Sequence, residues 1–265
     1  MNVQPKIMAI LNLTPDSFYD GGENQNIKAA LKKVEQYLTE GADIIDIGAY
    51  SSRPGAQHIS EEKELERLIP VLKILKKEFP NTIFSIDTFR SQVAYQSAQE
   101  GAHIINDISG GMMDQYMFET IANLPVQYIM MHMQGTPQTM QQSIYEGDIV
   151  KHVYIFFETQ LKKLDKLGFN DVILDVGFGF GKTLEQNYTL LKNLKTFNKL
   201  NKPILVGLSR KSMLYKLLNN SPQEALNATS VAHTLALLNG ADYLRVHDVK
   251  ACKETITIVN QYLKS

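Results

Sequence analysis

Asn12, Asp46, Asp87, Asn106, His132, Asp175, Ser209 with Lys211, and Arg245 with His247 each stand where a short apolar run gives way to polar sequence. A single Asp in such a place is more often a helix cap than a ligand. A series of them carries more weight, because charged groups at buried strand ends need partners. Asp87 and Asp175 can accept paired N–H donors, Asn106 offers both polarities and Lys211 is a point charge. Together they suit a flat heterocycle with amide and guanidine character along its edge. Arg53, Arg245 and His247 make a second, cationic group, with Asn12 as its one oxygen ligand. That group suits phosphate or pyrophosphate with a hard metal ion.

The elements that must position these residues are legible too. Eight apolar runs begin at Lys6, Ala42, Thr82, His103, Val126, Asp171, Pro203 and Asp242. They are rich in β-branched residues and alternate little, as parallel strands covered on both faces do. Helical stripes lie between them, such as Ile27, Leu31, Val34 and Leu38, or Phe157, Leu161, Leu164 and Leu167. A third stripe, Leu65 to Leu75, is led by Ser60 and two glutamates but contains Pro70, which predicts a kink or break. Ser221-Pro222-Gln223-Glu224 reads as a capping box with Pro at the first helical position. Gly-Ala recurs at 41–42, 101–102 and 240–241, each time between a helical stripe and an apolar run. A Gly there ends the helix and turns the chain into a strand. The pattern predicts a (β/α)8 TIM barrel in one domain over residues 1–265, with a doubly wound sheet as the competing fold. In a barrel the polar residues at the C-terminal strand ends share one face.

Two stretches near that face, residues 12–22 and 49–55, are rich in turn formers and suit lids. Residues 177–183, Gly-Phe-Gly-Phe-Gly-Lys-Thr, imitate a phosphate loop, but Val176 stands where a Walker A motif needs its first Gly. The glycines read instead as letting backbone approach a ligand, with Phe180 as a stacking surface.

Composition narrows the function classes. The 265 residues carry 27 Lys+Arg against 28 Asp+Glu, so no basic face for nucleic acid is expected. One cysteine, Cys252, excludes an internal disulfide and a thiolate zinc site, and reads as a packing residue. No apolar run approaches the ~20 residues that span a bilayer, and the N-terminal sequence lacks a secretory h-region. A soluble, cytoplasmic protein without membrane or nucleic-acid partners is expected.

At the level of motifs the chain resembles the dihydropteroate synthase family along almost its whole length. The resemblance rests on Asn12-Leu13-Thr14-Pro15-Asp16-Ser17-Phe18, Ser51-Ser52-Arg53-Pro54-Gly55, Ser85-Ile86-Asp87-Thr88, Ile105-Asn106-Asp107, Met131-His132-Met133-Gln134-Gly135, the stretch 175–182, Ser209-Arg210-Lys211-Ser212 and Arg245-Val246-His247-Asp248-Val249. It implies a (β/α)8 barrel that joins 6-hydroxymethyl-7,8-dihydropterin pyrophosphate to 4-aminobenzoate by Mg2+-assisted, SN1-like displacement. It implies that Asp87, Asn106, Asp175 and Lys211 hold the pterin, with Met131 and Phe180 lining the pocket. Arg53, Arg245 and His247 would meet pyrophosphate, and Asn12 would share Mg2+ with it. Aminobenzoate, or a sulfonamide mimic, would lie near Ser52, Pro54, Phe180 and Ser209. A homodimer is implied as well. The sequence departs from the family's usual pattern at Ala49, Tyr50 and Ser52, and at Val176 in place of a frequent Pro.

Other readings compete. A methyltetrahydrofolate:corrinoid methyltransferase would share the pterin residues but not the anion cluster. A Schiff-base aldolase would use Lys211, but lacks a positioned proton shuttle. A pterin-binding protein without turnover would not need the Arg and His set. His132 reads as satisfying backbone at a strand end, and His233 as a packing or surface residue.

Overall fold

In the computed structural model, residues 4–13, 22–51, 58–140 and 144–265 are described, with backbone only at 22–26. The eight apolar runs form β1 (Lys6–Asn12), β2 (Ile44–Gly48), β3 (Ile83–Asp87), β4 (Ile104–Asp107), β5 (Gln127–Met131), β6 (Val172–Asp175), β7 (Ile204–Val206) and β8 (Tyr243–Val246). They are parallel and close into a barrel in sequence order. The principal helices are α1 (Gly22–Glu40), α2 (Glu61–Glu78), α3 (Ser91–Gln99), α4 (Met117–Ala122), α5 (Ile149–Lys166), α6 (Leu184–Lys192), α7 (Ser212–Tyr215), α8 (Leu226–Leu238) and α9 (Val249–Lys264). Closure selects the barrel over the open sheet.

Alternation along each strand divides two cores. Met8, Ile44, Ile104, Ile129, Ile173, Leu205 and Tyr243 plug the barrel from inside. Their neighbours, such as Ile7, Ala9, Ile45, Phe84, Ile105, Tyr128 and Leu174, face the helical coat. The inner plug is a packed layer rather than a pore, so a ligand can enter only above it.

The repeated Gly-Ala joints share one local solution. Gly41, Gly101 and Gly240 have φ of 98°, 93° and 89°. The next residue donates its N–H five residues back, as in Ala42 to Tyr37, Ala102 to Ser97 and Ala241 to Ala236. This Schellman closure needs a left-handed residue, which Gly supplies without steric cost.

Helix α2 runs through Pro70 without a break. The carbonyl freed by Pro70 is that of Glu66, an exposed residue, so solvent can reach it. Ser60 caps α2 through the N–H of Lys63. Ser221 and Glu224 form the expected capping box, but it opens a 3-10 turn ahead of α8. No helix among the described residues is long and apolar enough to cross a membrane.

Candidate active site

The inward positions above the plug are polar. Asp46 of β2 stands beside Ser85 of β3, and Asp87 of β3 beside Asn106 of β4. Met131 of β5 pairs with Asp175 of β6. Arg245 of β8 reaches across the mouth: its Nε donates to Asp46 Oδ2 at 2.6 Å and an Nη donates to Asp87 Oδ2 at 2.7 Å. Asn106 Nδ2 donates to the same Asp46 oxygen at 3.1 Å. Arg245 is thus ion-paired into the floor with the acceptors, whereas the sequence reading grouped it with a separate set of cations.

Burial and charge set the protonation of this floor. Burial raises the Asp87 carboxyl above the ordinary carboxylate range, and repulsion from Asp46 adds to this, while Arg245 opposes it. Burial also raises Asp175, against the Gly177 N–H on its Oδ1 and the charges of Lys211 and Arg245. Burial would lower Arg245, but Asp46 and Asp87 more than reverse that and hold it charged. Lys211 is pulled down to about 8 by burial, with Asp175 acting to restore it. Its Nζ lies 4.2 Å from the centre of the Phe180 ring, a cation–π contact.

An apolar wall completes one side. Met131 belongs to a cluster with Tyr50, Phe89, Ile108, Met133 and Met140, and Phe180 packs against it. On the β7–β8 side, Ser209 Oγ accepts from the backbone N–H of His247 and lies 3.0 Å from its Nδ1. Asn12 ends β1 beside Gly48. A Cβ at Gly48 would stand 3.6 Å from Asn12 Oδ1 and 3.7 Å from Asp87 Oδ2, so the missing side chain leaves the lip open. Among the described residues no cluster of three His, Cys, Asp or Glu could hold a metal ion. A single oxygen from Asn12 fits Mg2+ only if substrate phosphates and water supply most of its ligands. Ser52, Arg53 and Pro54, and most of both proposed lids, lie outside the described residues.

The false phosphate loop has a different purpose. Lys182 Nζ donates to the carbonyls of His132, Gly177 and Phe180 at 3.2, 2.8 and 3.0 Å. All three of its N–H groups are engaged, so none is free for a phosphate. Gly177 has φ 69°, and a Cβ on it would meet the His132 carbonyl at 1.9 Å. At this glycine the close approach is to the backbone just after β5, not to a ligand. Lys182 thereby ties the loop after β6 to the end of β5. Lys182→Met is expected to cost about 3 kcal/mol, because buried carbonyls lose their donor. Denaturant unfolding measures this, and a change below about 1 kcal/mol would refute the clamp.

Five residues had weak sequence signals. Arg210 was visible only as part of a motif; it sits at φ 55° and forks onto Asp248 through 2.9 and 2.7 Å bonds, tying the β7 and β8 loops together. Asp107 points outward and gathers Ser109, Gly111 and Tyr128 to shape the loop after β4. The His132 ring also points outward, edge-on to Phe156 and His152, and only its backbone carbonyl serves the site loop. His233 is buried in α8, as packing. Cys252 is buried as well, and burial pushes its thiol up to about 12, which leaves it inert.

Comparison with known proteins identifies the family. Residues 8–247 match the family of pterin binding enzymes. The dihydropteroate synthase of Escherichia coli (strain K12) is 41% identical over 98% of this chain and 93% of its own length. The Yersinia pestis dihydropteroate synthase in complex with a sulfonamide drug superposes with a TM-score of 0.92 at 40% identity, covering 99% of this chain and 95% of that one. The Xanthomonas albilineans dihydropteroate synthase with 4-aminobenzoic acid gives 0.91 at 35% identity, covering 99% and 94%. With the barrel and its polar mouth in place, the chain belongs to the dihydropteroate synthases, pterin-binding transferases of folate synthesis.

Proposed function

We propose that this chain condenses 6-hydroxymethyl-7,8-dihydropterin pyrophosphate with 4-aminobenzoate, giving 7,8-dihydropteroate and pyrophosphate. The observation that carries the proposal is the convergence of Asp87, Asn106, Asp175, Lys211 and Arg245 above one sealed plug. Asp175, Asn106, Asp87 and Lys211 hold the edge of the heterocycle, and Met131 with Phe180 packs against its face. The pterin's exocyclic carbon–oxygen bond breaks first, and its electron pair leaves with pyrophosphate. The arylamine nitrogen then bonds to that carbon and sheds a proton to pyrophosphate or water. A neutral arylamine needs no strong base beforehand, which agrees with a site built to bind rather than to abstract protons. Arg53 and His247 hold the anion, and so does the Arg245 nitrogen that Asp46 and Asp87 leave unused. Mg2+, held by Asn12 and the phosphates, would supply charge neutralisation on the leaving group. Ser52, Pro54, Phe180 and Ser209 place the aminobenzoate, and sulfonamides would compete there.

The test is pyrophosphate release. Sustained release over many turnovers should require both substrates and Mg2+, and should fall when a sulfonamide competes with aminobenzoate. Absence of turnover, with both substrates bound, would sink the enzymatic reading.

A homodimer belongs to the same proposal. Leu226, Val231 and Leu235 of α8 and Ile258, Tyr262 and Leu263 of α9 are exposed, and these helices pack side by side. A second copy covering them would bury that apolar surface. Light scattering should give twice the 29.9 kDa chain mass. A cytoplasmic location is proposed with it.

A further inference from the structure

We infer that Asp46 is a positioning and specificity-determining residue: it fixes which way round the Asn106 amide faces the heterocycle. The inference rests on the pterin reading of the same site. Asp46 lies at the bottom of the floor, fully buried. Its Oδ2 accepts from Arg245 and from Asn106, at 2.6 and 3.1 Å. Its Oδ1 and the Oγ of Ser85, its register neighbour, are buried without a hydrogen-bond partner. A carboxylate there carries a desolvation cost that its bonds to Arg245 and Asn106 must offset, with Oδ1 left unpartnered. The use of Asp46 therefore lies in what it does to its partners.

Its effect on Asn106 follows from polarity. An amide can turn over by 180° and exchange its oxygen for its nitrogen. A carboxylate oxygen that already receives a guanidinium at 2.6 Å can only accept. With the amide reversed, two acceptor oxygens would face each other at about the 3.1 Å separation now bridged by a hydrogen bond. Asp46 therefore holds the NH2 of Asn106 downwards, and the amide shows the ligand a donor–acceptor edge of one fixed sense. A pterin has a ring acceptor next to an exocyclic amino donor. In its 2-oxo counterpart, a lumazine, that ring nitrogen is a donor and the exocyclic group an acceptor. A locked amide distinguishes the two, whereas an amide free to turn accommodates either.

The experiment is calorimetric titration of four proteins with 6-hydroxymethylpterin and 6-hydroxymethyllumazine. The proteins are the wild type, Asp46→Asn, Asn106→Ala and the double variant. The wild type should prefer the pterin. Asp46→Asn should narrow that preference about tenfold, the value of one lost or mismatched hydrogen bond. Asn106→Ala should narrow it comparably, and the double variant no further. A merely structural role would weaken both ligands alike and leave the ratio unchanged. Folded Asp46→Asn that keeps the wild-type ratio would overturn the inference. So would an Asp46→Asn effect that persists undiminished beside Asn106→Ala. Should Asp46→Asn lack a cooperative melt, full discrimination by Asn106→Ala overturns it equally. Wild-type protein that binds neither ligand would overturn the pterin reading itself.

Discussion

Arg245→Ala is expected to destabilise the fold by about 3–5 kcal/mol, the cost of leaving buried charge without its partner. It should also abolish turnover. Arg245 joins β8 to β2 and β3 across the barrel mouth, and its removal leaves Asp46 and Asp87 facing each other without a counter-charge. The loss should shrink when Arg245→Ala is combined with Asp87→Asn, because one of the two exposed charges then disappears. Denaturant unfolding of the single and double variants measures this. A single variant within about 1 kcal/mol of wild type would show that the ion pairs are incidental.

Lys211→Ala and Asp175→Ala should have the opposite profile, with a large effect on ligand and a small one on fold. Neither side chain is held in an ion pair like those of Arg245, so each loss should fall mainly on the ligand, at about 2–5 kcal/mol of affinity, or roughly thirtyfold to several thousandfold. Near-native affinity for 6-hydroxymethylpterin in both variants would refute the pocket assignment. The pH dependence gives an independent check. Lys211 titrates at about 8, so pterin affinity should fall as pH rises through that value. The alkaline limb should be missing in Lys211→Ala. Stability responds with the opposite sign. Between about 8 and its unfolded value of 10.5, the unfolded chain binds the proton that folded Lys211 has lost, so this group's contribution rises with pH. The protein should therefore lose affinity while its fold gains from the same residue.

Most of the scaffold was legible because it is local. Each apolar run became a strand, and each Gly-Ala pair a joint, because Schellman closure depends on six consecutive residues. The site was legible only in part, because inward direction depends on strand parity. Asn106 and Asp107 are adjacent, yet one enters the pocket and the other shapes an outer loop. The same parity turns Met131 inward and His132 outward. The pairing of Arg245 with Asp46 spans 199 residues and leaves no local trace. Lys182 was read only as a failed nucleotide motif, since no spacing reveals a lysine that binds its own loop's carbonyls.

The plug of Met8, Ile44, Ile104, Ile129, Ile173, Leu205 and Tyr243 draws one residue from almost every strand. No contiguous fragment contains it, and the polar floor that rests on it is equally dispersed. A nascent chain on the ribosome therefore has no cofactorless half-site with which to recruit substrate early. Ligand can stabilise the protein only after the last strand, β8, has docked against β1. Substrate should thus slow global unfolding but do nothing to hasten the assembly of the chain, and the two rates can be separated by refolding with and without pterin.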